Sequence, residues 1–201
     1  FIKNNISDYA NFLFSIQRVY EEMHIKKKNK FRIIHISTDE VYGSLKSKEK
    51  SFSEKNKFLP NSPYSASKAS SDMISRAWYR TFDLPIIITN CSNNYGQYQH
   101  KEKFIPKIII NILKKKKIPV YAEGKNIREW LHVLDHCSAI QHLIKYGKVG
   151  QSYNIGSSYS CSNINLVKKI CDIMDKKLDL KPSSKNLINF VKDRKAHDFR
   201  Y

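Results

Sequence analysis

The spacing of apolar residues along the chain predicts alternating helices and strands. Over residues 2–23, apolar side chains recur at alternating steps of four and three, which is typical of one long amphipathic helix. The short apolar runs 31–37 and 85–89 predict two buried strands. Between these runs, Ser62 and Pro63 fit an N-cap and a first helical position, so a second helix is predicted to begin there.

The order of these elements predicts a parallel β-sheet covered by helices. Helix and strand alternate through the first half of the chain, which is the pattern of α/β folds. In such sheets ligands bind where the strands end, so the chemistry should follow Ile36 and Ile88. Further helices are predicted around 105–112, 135–147 and 164–174, and further strands around 119–121, 128–134 and 151–155.

The chain is strongly basic, and two interpretations of its charge compete. Its 201 residues include 36 Lys and Arg against 18 Asp and Glu, which gives a formal net charge of +18. Binding to the phosphates of a nucleic acid or an anionic membrane is one interpretation. The lysines, however, stand in runs such as 26–28 and 114–117 after predicted helices, where cations suit the helix dipole. No nucleic-acid motif accompanies them, so a lysine-rich surface on an ordinary fold is favoured.

The sequence predicts neither a membrane span nor a metal site. No apolar run reaches the roughly 18 residues that a membrane helix needs. His132 and His136 are four residues apart, yet no acidic or cysteine partner follows at a useful spacing. The four cysteines form no CxxC pair, and free thiols indicate a reducing compartment, so a cytoplasmic location is expected.

Tyr64 and Lys68 are the first candidate catalytic pair. Their side chains share one face of a predicted helix because they are four residues apart. The positive end of the helix dipole and the Lys68 ammonium both favour a phenolate, so we expect a lowered pKa for Tyr64, which suits a general base. Taken alone, a Tyr-x-x-x-Lys pattern is equally compatible with an incidental pair. The apolar stripe of this helix is predicted to consist of Ala66, Ala69, Met73 and Ala77.

Thr38, Asp39 and Glu40 form the second candidate, directly after the first predicted strand. Two adjacent carboxyl groups at a strand end can divide the roles of acid and base when their surroundings separate their pKa values. The Thr38 hydroxyl can hydrogen-bond to a substrate hydroxyl. A turn with solvated acids would carry the same residues, but the position at a strand end, one loop before Tyr64, favours a site.

Three motifs in the same order resemble one known family. STDEVYG at 37–43, SPYSASKASSD at 62–72 and TNCSNNYG at 89–96 are similar to the dTDP-glucose 4,6-dehydratases, which belong to the extended short-chain dehydrogenase/reductase family. The joint pattern is far more specific than any one motif. Shorter matches continue to the end of the chain at 103–106, 119–121, 128–131, 153–156 and 193–194, so the resemblance covers essentially all of it.

The resemblance implies an α/β fold with two parts. The first is the rear part of a Rossmann-like doubly wound parallel sheet that binds NAD, formed by 1–94 and 128–156, with its first strands lying before residue 1. The second is a smaller C-terminal substrate-binding domain, formed by 95–127 and 157–201, that binds the nucleotide sugar. The resemblance also implies a homodimer that pairs through the helices at 2–23 and 64–82.

The resemblance implies a reaction on dTDP-glucose with NAD as the cofactor. Tyr64, helped by Lys68 and Thr38, would take the proton of the C4 hydroxyl while a hydride passes to NAD. Glu40 would then take the C5 proton, and Asp39 would protonate the leaving C6 hydroxyl before the hydride returns to C6. The product would be a 4-keto-6-deoxy sugar, which the family supplies to deoxysugar and surface polysaccharide biosynthesis.

Further contacts to both ligands are carried over from the family. Asn94 would contact NAD together with the Tyr-Lys pair, and the forked donors of two arginines would meet the substrate diphosphate. The residues implied in substrate binding are Thr38, Asn93, Lys103, Phe104, Pro119, Val120, Tyr121, Arg128, Asn163, Asp193, Arg194 and His197.

This sequence departs from the family pattern in two places. None of its six glycines forms the G-x-G-x-x-G loop, which in the family lies on a first strand. The chain by itself is therefore expected to be a truncated part that binds NAD poorly. Lys195 and Ala196 stand where the family has Pro and Gly, which is expected to disturb the loop that carries Arg194 and His197.

Two other functions stay open on the sequence. Another NAD-dependent nucleotide-sugar enzyme of the same family, such as an epimerase or a decarboxylase, would share Tyr64 and Lys68. Those enzymes generally lack the adjacent acids Asp39 and Glu40, which favours dehydration. A basic, non-catalytic binding protein derived from this fold would account for the net charge instead.

Overall fold

The apolar pattern at the start of the chain forms two consecutive helical segments. In the computed structural model, which describes residues 1–201, a π-helical turn at Lys3–Ser7 runs directly into helix α1 (Asp8–Glu22). Leu13 of α1 is fully buried against Leu84, Ile86 and Ile88, so this helix covers one face of the sheet described below.

The first half of the chain alternates between helix and strand, as predicted, whereas strands later follow one another in pairs. The remaining elements are α2 (Ile25–Lys28), β1 (Ile33–Thr38), a 3-10 turn (Asp39–Tyr42), α3 (Pro63–Phe82), β2 (Ile86–Cys91), β3 (Asn93–Tyr95), α4 (Phe104–Leu113), β4 (Ile118–Tyr121), β5 (Ile127–His132), α5 (Val133–Tyr146), β6 (Ser152–Ile155), β7 (Ser160–Ser162), α6 (Asn163–Leu178), a second 3-10 turn (Ser184–Leu187) and β8 (Ile188–Val191).

A three-stranded parallel sheet in the order β1-β2-β6 holds the two predicted strand ends side by side. Thr38 is paired with Cys91, so the polar residues that follow each strand meet at one edge of the sheet. The prediction that the first strand is buried throughout is wrong for Ile36. Strand β1 is an edge strand of the sheet. Its Ile36 side chain is 47% exposed, while His35 and Ser37 are buried.

A second group of strands and helices surrounds its own apolar core. Strand β5 pairs with β3 and β7, and β4 pairs with β8. Three of these strands, β3, β7 and β8, were not predicted, because runs of three or four residues carry little periodicity. The core between these strands and helices α4 and α6 consists of Ile108, Ile112, Ile118, Val120, Trp130, Leu166, Val167, Ile170 and Cys171.

Helix α3 begins as predicted but buries a different face. The Ser62 hydroxyl accepts from the Ser65 amide at 3.1 Å, and the Ser65 hydroxyl accepts from the Ser62 amide at 3.1 Å, which completes a capping box. The predicted apolar stripe is wrong at Met73, which is 60% exposed. The buried face instead carries small polar residues, namely Ser65, Ser67, Ser71, Asp72 and Ser75, beside Ala69.

Helix α5 also begins differently from the prediction. His132 is its N-cap, because the Nδ1 atom accepts a hydrogen bond from the Leu134 amide at 3.3 Å, while Asp135 lies in the first turn. Among all the helices, none combines the length and the apolar character that a membrane span requires.

Candidate active site

The end of strand β1 is held by a side chain that caps the following turn. The Thr38 hydroxyl accepts a hydrogen bond from the Glu40 amide at 3.3 Å and donates one to Asp39 Oδ1 at 3.3 Å. Because a 3-10 turn advances about 120° per residue, the two neighbouring acids point in different directions. The Thr38 hydroxyl therefore holds both acids of the turn in place.

Two cavities of the strand-end region separate the acids. Glu40 lines a cavity of about 460 Å³ together with Tyr64, Lys103 and Arg194. Asp39 lines a second cavity of about 280 Å³ that also reaches Glu129. The structure thus brings four of the predicted site residues to one cavity and places Asp39 at the neighbouring one.

Lys68 and Tyr64 reach the strand end from helix α3. The Lys68 ammonium donates to the Ile36 carbonyl at 2.7 Å, which fixes the lysine against β1. The expected lowering of the Tyr64 pKa is wrong for this structure. Burial, followed by the charges of Glu40, Cys91 and Asp39, raises the pKa of Tyr64 to about 12. Burial also lowers the pKa of Lys68, while Asp72 opposes that shift.

The surroundings give the two adjacent acids different pKa values, as acid–base chemistry needs. Burial, and then the charge of Glu40, raise the pKa of Asp39 from 3.8 to about 8. Burial raises the pKa of Glu40 less, because the guanidinium groups of Arg128 and Arg194 favour its carboxylate form. At neutral pH, Asp39 is suited to donate a proton and Glu40 is suited to accept one.

Asn93 and Asn94 follow the end of β2 and leave buried oxygens without partners. The Oδ1 atoms of both side chains are buried and accept no hydrogen bond. Asn94 is held by donating its own amide to the Ser92 carbonyl at 3.1 Å and to Cys91 Sγ at 3.4 Å. Buried acceptors are normally paired, so these two oxygens are exceptions in this structure.

Arg128 lines neither of the two cavities. The residue is buried, and its guanidinium donates to the carbonyls of Ile127 at 2.7 Å, Asp198 at 2.8 Å and Phe199 at 3.2 Å. It also stacks over the Tyr201 ring at 4.0 Å. In this structure Arg128 holds the 198–201 segment beside Glu40, whereas a diphosphate contact was expected from its forked donors.

The loop 193–197 brings Arg194 to the larger cavity. Asp193 Oδ1 accepts from the Arg194 amide at 2.9 Å and pairs with His197 Nδ1 at 2.7 Å. His197 also meets the Tyr121 ring edge-to-face, with centroids 6.0 Å apart. Ala196, where the family has Gly, adopts a φ of 51°, in the left-handed region that favours glycine. The loop therefore keeps a glycine-like conformation and stores strain at Ala196.

The other residues carried over from the family lie away from both cavities. Val120 is 1% exposed in the second apolar core, and the Phe104 ring stacks on Trp130 with centroids 6.2 Å apart. Pro119 belongs to β4. Asn163 is the first residue of α6, and its backbone N–H donates to the Asn126 backbone carbonyl at 2.9 Å. The structure does not bring these four residues to the strand-end cavities.

A buried polar network behind the site was missed in the sequence. Asp72 Oδ1 lies 2.9 Å from His35 Nε2, and Asp72 Oδ2 accepts from the Asn90 amide at 2.9 Å. The same Asn90 amide also donates to the Thr38 carbonyl at 3.3 Å. A signal was present, since Asp72 is four residues after Lys68 and eight after Tyr64, which places all three on one helix face.

The fold and the candidate site together are typical of one class of protein. A parallel sheet of Rossmann type with polar strand ends and a Tyr-Lys pair on the adjoining helix is the arrangement of short-chain dehydrogenase/reductase proteins. A family model described as GDP-mannose 4,6-dehydratase matches residues 1–201, so the chain belongs to that family.

Curated relatives resemble the whole chain but are longer than it. The dTDP-glucose 4,6-dehydratase of Neisseria meningitidis serogroup B is 46% identical over the entire chain, which spans 58% of that relative. The dTDP-glucose 4,6-dehydratase of Haemophilus influenzae is 44% identical, and the chain spans 61% of it.

Solved structures agree with the fold. The dTDP-glucose 4,6-dehydratase of Bacillus anthracis, in complex with NAD, is 44% identical with a TM-score of 0.80 and matches 94% of this chain and 56% of its own. The enzyme of the same name from Streptomyces venezuelae, with NAD bound, is 37% identical with a TM-score of 0.88. The match covers 100% of this chain and 57% of that structure's chain. A UDP-glucuronic acid 4-epimerase from Bacillus cereus, at 22% identity and a TM-score of 0.83, shares the fold over all of this chain and 58% of its own.

Replacing Ala196 by glycine is expected to stabilise the protein. The Ala196→Gly substitution removes the Cβ atom from a left-handed conformation and should raise the free energy of unfolding by about 1 kcal/mol. Chemical denaturation of both forms measures the difference. The matched control is Ala77→Gly on the exposed side of helix α3, where the same change should lower stability by about 1 kcal/mol. A loss of stability at both positions would contradict the strain assigned to Ala196.

The raised pKa of Asp39 predicts a loss of stability as the pH rises. The folded state favours the protonated carboxyl, so it binds more protons than the unfolded state between pH 3.8 and about 8. Stability should therefore fall across that interval and level off above it. The Asp39→Asn variant, which has no proton to lose, should be more stable than the wild type above about pH 8 and gain nothing below 3.8.

Denaturant unfolding of the wild type and the variant over this pH range measures the difference. Asp135→Asn, at an exposed position of helix α5, is the control for removal of a carboxylate. A constant difference between wild type and Asp39→Asn across the range would contradict a raised pKa for Asp39.

Proposed function

We propose that this protein acts as an NAD-dependent dTDP-glucose 4,6-dehydratase, a hydro-lyase that forms a 4-keto-6-deoxy nucleotide sugar. The observation that carries the proposal is that the two adjacent acids at the end of β1 lie in different surroundings. Glu40 shares a cavity with Tyr64, and Asp39, whose pKa burial raises to about 8, lines the next cavity. The curated relatives named dTDP-glucose 4,6-dehydratase, at 44–46% identity, support this substrate over other nucleotide sugars.

Each residue of the site then has a chemical task. Tyr64 takes the proton of the C4 hydroxyl, while Thr38 orients the substrate and Lys68 supplies a positive charge at the strand end. Glu40 removes the C5 proton, which the new C4 ketone has made acidic. Asp39, protonated at neutral pH, donates a proton to the C6 hydroxyl as it leaves. These groups are held within one turn and one helix face, so proximity supplies much of the rate.

NAD fits the residues that this chain provides. When bound, it would accept a hydride from C4 and return it to C6. The unpaired oxygen of Asn94 and the Tyr64-Lys68 pair lie at the strand ends where this ligand would bind. With a pKa of about 12, Tyr64 is almost entirely protonated at neutral pH and could not accept a proton, and a bound group of positive charge, such as oxidised NAD would supply, would lower that pKa.

The nucleotide sugar is proposed to lie along the larger cavity. Lys103 and Arg194 line it and can attract the diphosphate. Asn93, which the family resemblance assigns to substrate binding, does not line this cavity. The part that would bind NAD consists of residues 1–94 and 128–156. The part that would bind the nucleotide sugar consists of residues 95–127 and 157–201. Strand β5, at the start of 128–156, pairs with β3 and β7 and so links the two parts. The role of the other residues carried over from the family, Phe104, Pro119, Val120, Tyr121, Asn163, Asp193 and His197, would be to shape and support this binding part.

Helices α1 and α3 offer a surface for a homodimer. The Phe14 ring packs edge-to-face on Trp78 with centroids 4.9 Å apart, and the Phe14 side chain is 54% exposed. Phe82 extends the same aromatic group, with its ring 5.9 Å from that of Trp78. An exposed aromatic patch of this kind suits an interface. We also place the enzyme in the cytoplasm, where its four free thiols would stay reduced.

The first test of the proposed function is an assay of the complete gene product with NAD. Product is scored by mass spectrometry after incubation with dTDP-glucose, UDP-glucose or GDP-mannose. We expect a 4-keto-6-deoxy product from dTDP-glucose alone. Glu40→Gln and Asp39→Asn should each lower the rate by roughly 100- to 10,000-fold, because each removes one proton-transfer group.

The matched control is Glu123→Gln, which makes the same change at an exposed ion pair with Lys125 and should leave the rate unchanged. An epimerised sugar without loss of water would favour the 4-epimerase alternative. Binding of nucleic acid without binding of NAD would favour the basic binding protein. Either result would overturn the proposed function.

The dimer surface predicts that a charge at Phe14 separates the subunits. Phe14→Lys places a cation in the aromatic patch and should shift the complete gene product from dimer to monomer in sedimentation velocity. Tyr146→Lys is the control, since Tyr146 is 71% exposed on helix α5, outside the patch. A monomeric wild type, or a Phe14→Lys variant that remains dimeric, would contradict this interface.

A further inference from the structure

Helix α3 carries Tyr64 and Lys68, yet few directional contacts fix it against the sheet. Its buried serines donate to carbonyls of their own helix, as Ser67 does to Tyr64 at 2.7 Å and Ser71 to Lys68 at 2.8 Å. Such contacts do not set the position of the helix along the sheet. Further along the helix, Ile74 and Trp78 pack against the apolar core that contains Leu13. In the first half of the helix, Ala69 is the buried apolar residue, so the position of Tyr64 relative to β1 depends largely on polar contacts.

Asp72 makes side-chain contacts from α3 to two strands at once. Its carboxyl group is 2% exposed, and one oxygen meets His35 of β1 while the other accepts from Asn90 of β2, both at 2.9 Å. Because a buried carboxyl group needs a partner for each oxygen, a shift of the helix in either direction would break one of these bonds. Tyr9 reinforces the position by packing on the His35 ring, with centroids 4.6 Å apart.

The network continues to the other half of the active site. The Asn90 amide that donates to Asp72 also donates to the Thr38 carbonyl at 3.3 Å. Thr38 in turn caps the turn that holds Glu40. Asp72 and Asn90 thus join the helix that carries the Tyr-Lys pair to the strand end that carries the acids, through two hydrogen bonds and no flexible loop.

We propose that Asp72 is a positioning residue of the active site, which sets Tyr64 and Lys68 against the Thr38–Glu40 turn through its bonds to His35 and Asn90. The proposal rests on the proposed function and adds a residue that touches neither ligand nor cavity. Asp72 also acts on the charge of Lys68, because its carboxylate opposes the lowering of the Lys68 pKa by burial. The other titratable group that acts on Lys68 is Cys91, at the end of β2.

The test replaces Asp72 by asparagine in the complete gene product. Asp72→Asn keeps the shape of the side chain and removes its charge and one acceptor oxygen. We expect kcat to fall roughly 100-fold, as when reacting groups are misplaced by about 1 Å, with KM for dTDP-glucose changed by less than about twofold. The pKa of Lys68, followed by heteronuclear NMR, should fall below that of the wild type, a result that a purely structural role would not give.

Asp135→Asn, at an exposed position of helix α5 away from the proposed dimer surface, is the matched control and should change none of these quantities. An unchanged kcat, a change confined to KM, or an unmoved Lys68 pKa would overturn the proposal. If Asp72→Asn does not fold, His35→Gln tests the same anchor with the charge of Asp72 retained. It should lower kcat roughly 10-fold, and an unchanged kcat would count against the proposal.

The NMR readout separates this proposal from the proposed function. If the wild type makes no 4-keto-6-deoxy product, the proposed function fails. The pKa of Lys68 in the wild type and in Asp72→Asn still shows whether the Asp72 carboxylate lies close enough to act on Lys68, and an unmoved pKa would overturn the proposed placement.

Discussion

Close packing of helix α3 against the parallel sheet is the contact on which the rest of the site depends. Serines cover its buried face, so the helix approaches closely enough for Lys68 to donate to the Ile36 carbonyl at 2.7 Å. Larger side chains on that face would hold the helix further from β1. Tyr64 would then leave the cavity that it shares with Glu40. The geometry of the site thus requires small polar side chains on the buried face of helix α3, where a core would normally have apolar ones.

The same packing has an electrostatic cost that falls on the reactive groups. Burial raises the pKa values of Asp39, Glu40 and Tyr64, and the charges of Glu40 and Asp39 raise the pKa of Tyr64 further. The site is consequently less stable than the same space filled by neutral side chains would be. In return, two acids that are adjacent in the sequence titrate over different pH ranges. That separation allows one to donate a proton while the other accepts one.

The sequence predicted the main architecture and most of the strand-end residues, but not the contacts between elements. Periodicity located α1, α3, β1 and β2, and the capping residues Ser62 and Pro63 placed the start of α3 correctly. Periodicity could not reveal that the Arg128 guanidinium donates hydrogen bonds to the carbonyls of residues 198 and 199, since that contact joins residues about seventy positions apart. It also ranked Met73 as buried because apolar spacing cannot identify a helix face built from serine and aspartate.

Arg194 connects substrate binding to the basicity of Glu40 under the proposed function. Its guanidinium lines the cavity with Glu40 and, together with Arg128, holds the pKa of Glu40 below the value that burial alone would give. A diphosphate bound to Arg194 would offset that positive charge, so the pKa of Glu40 would rise and its carboxylate would become a stronger base. The Arg128 guanidinium, held by backbone carbonyls, would keep its effect on Glu40 whether or not substrate is bound. One arginine would therefore respond to the substrate while the other keeps the carboxylate ionised.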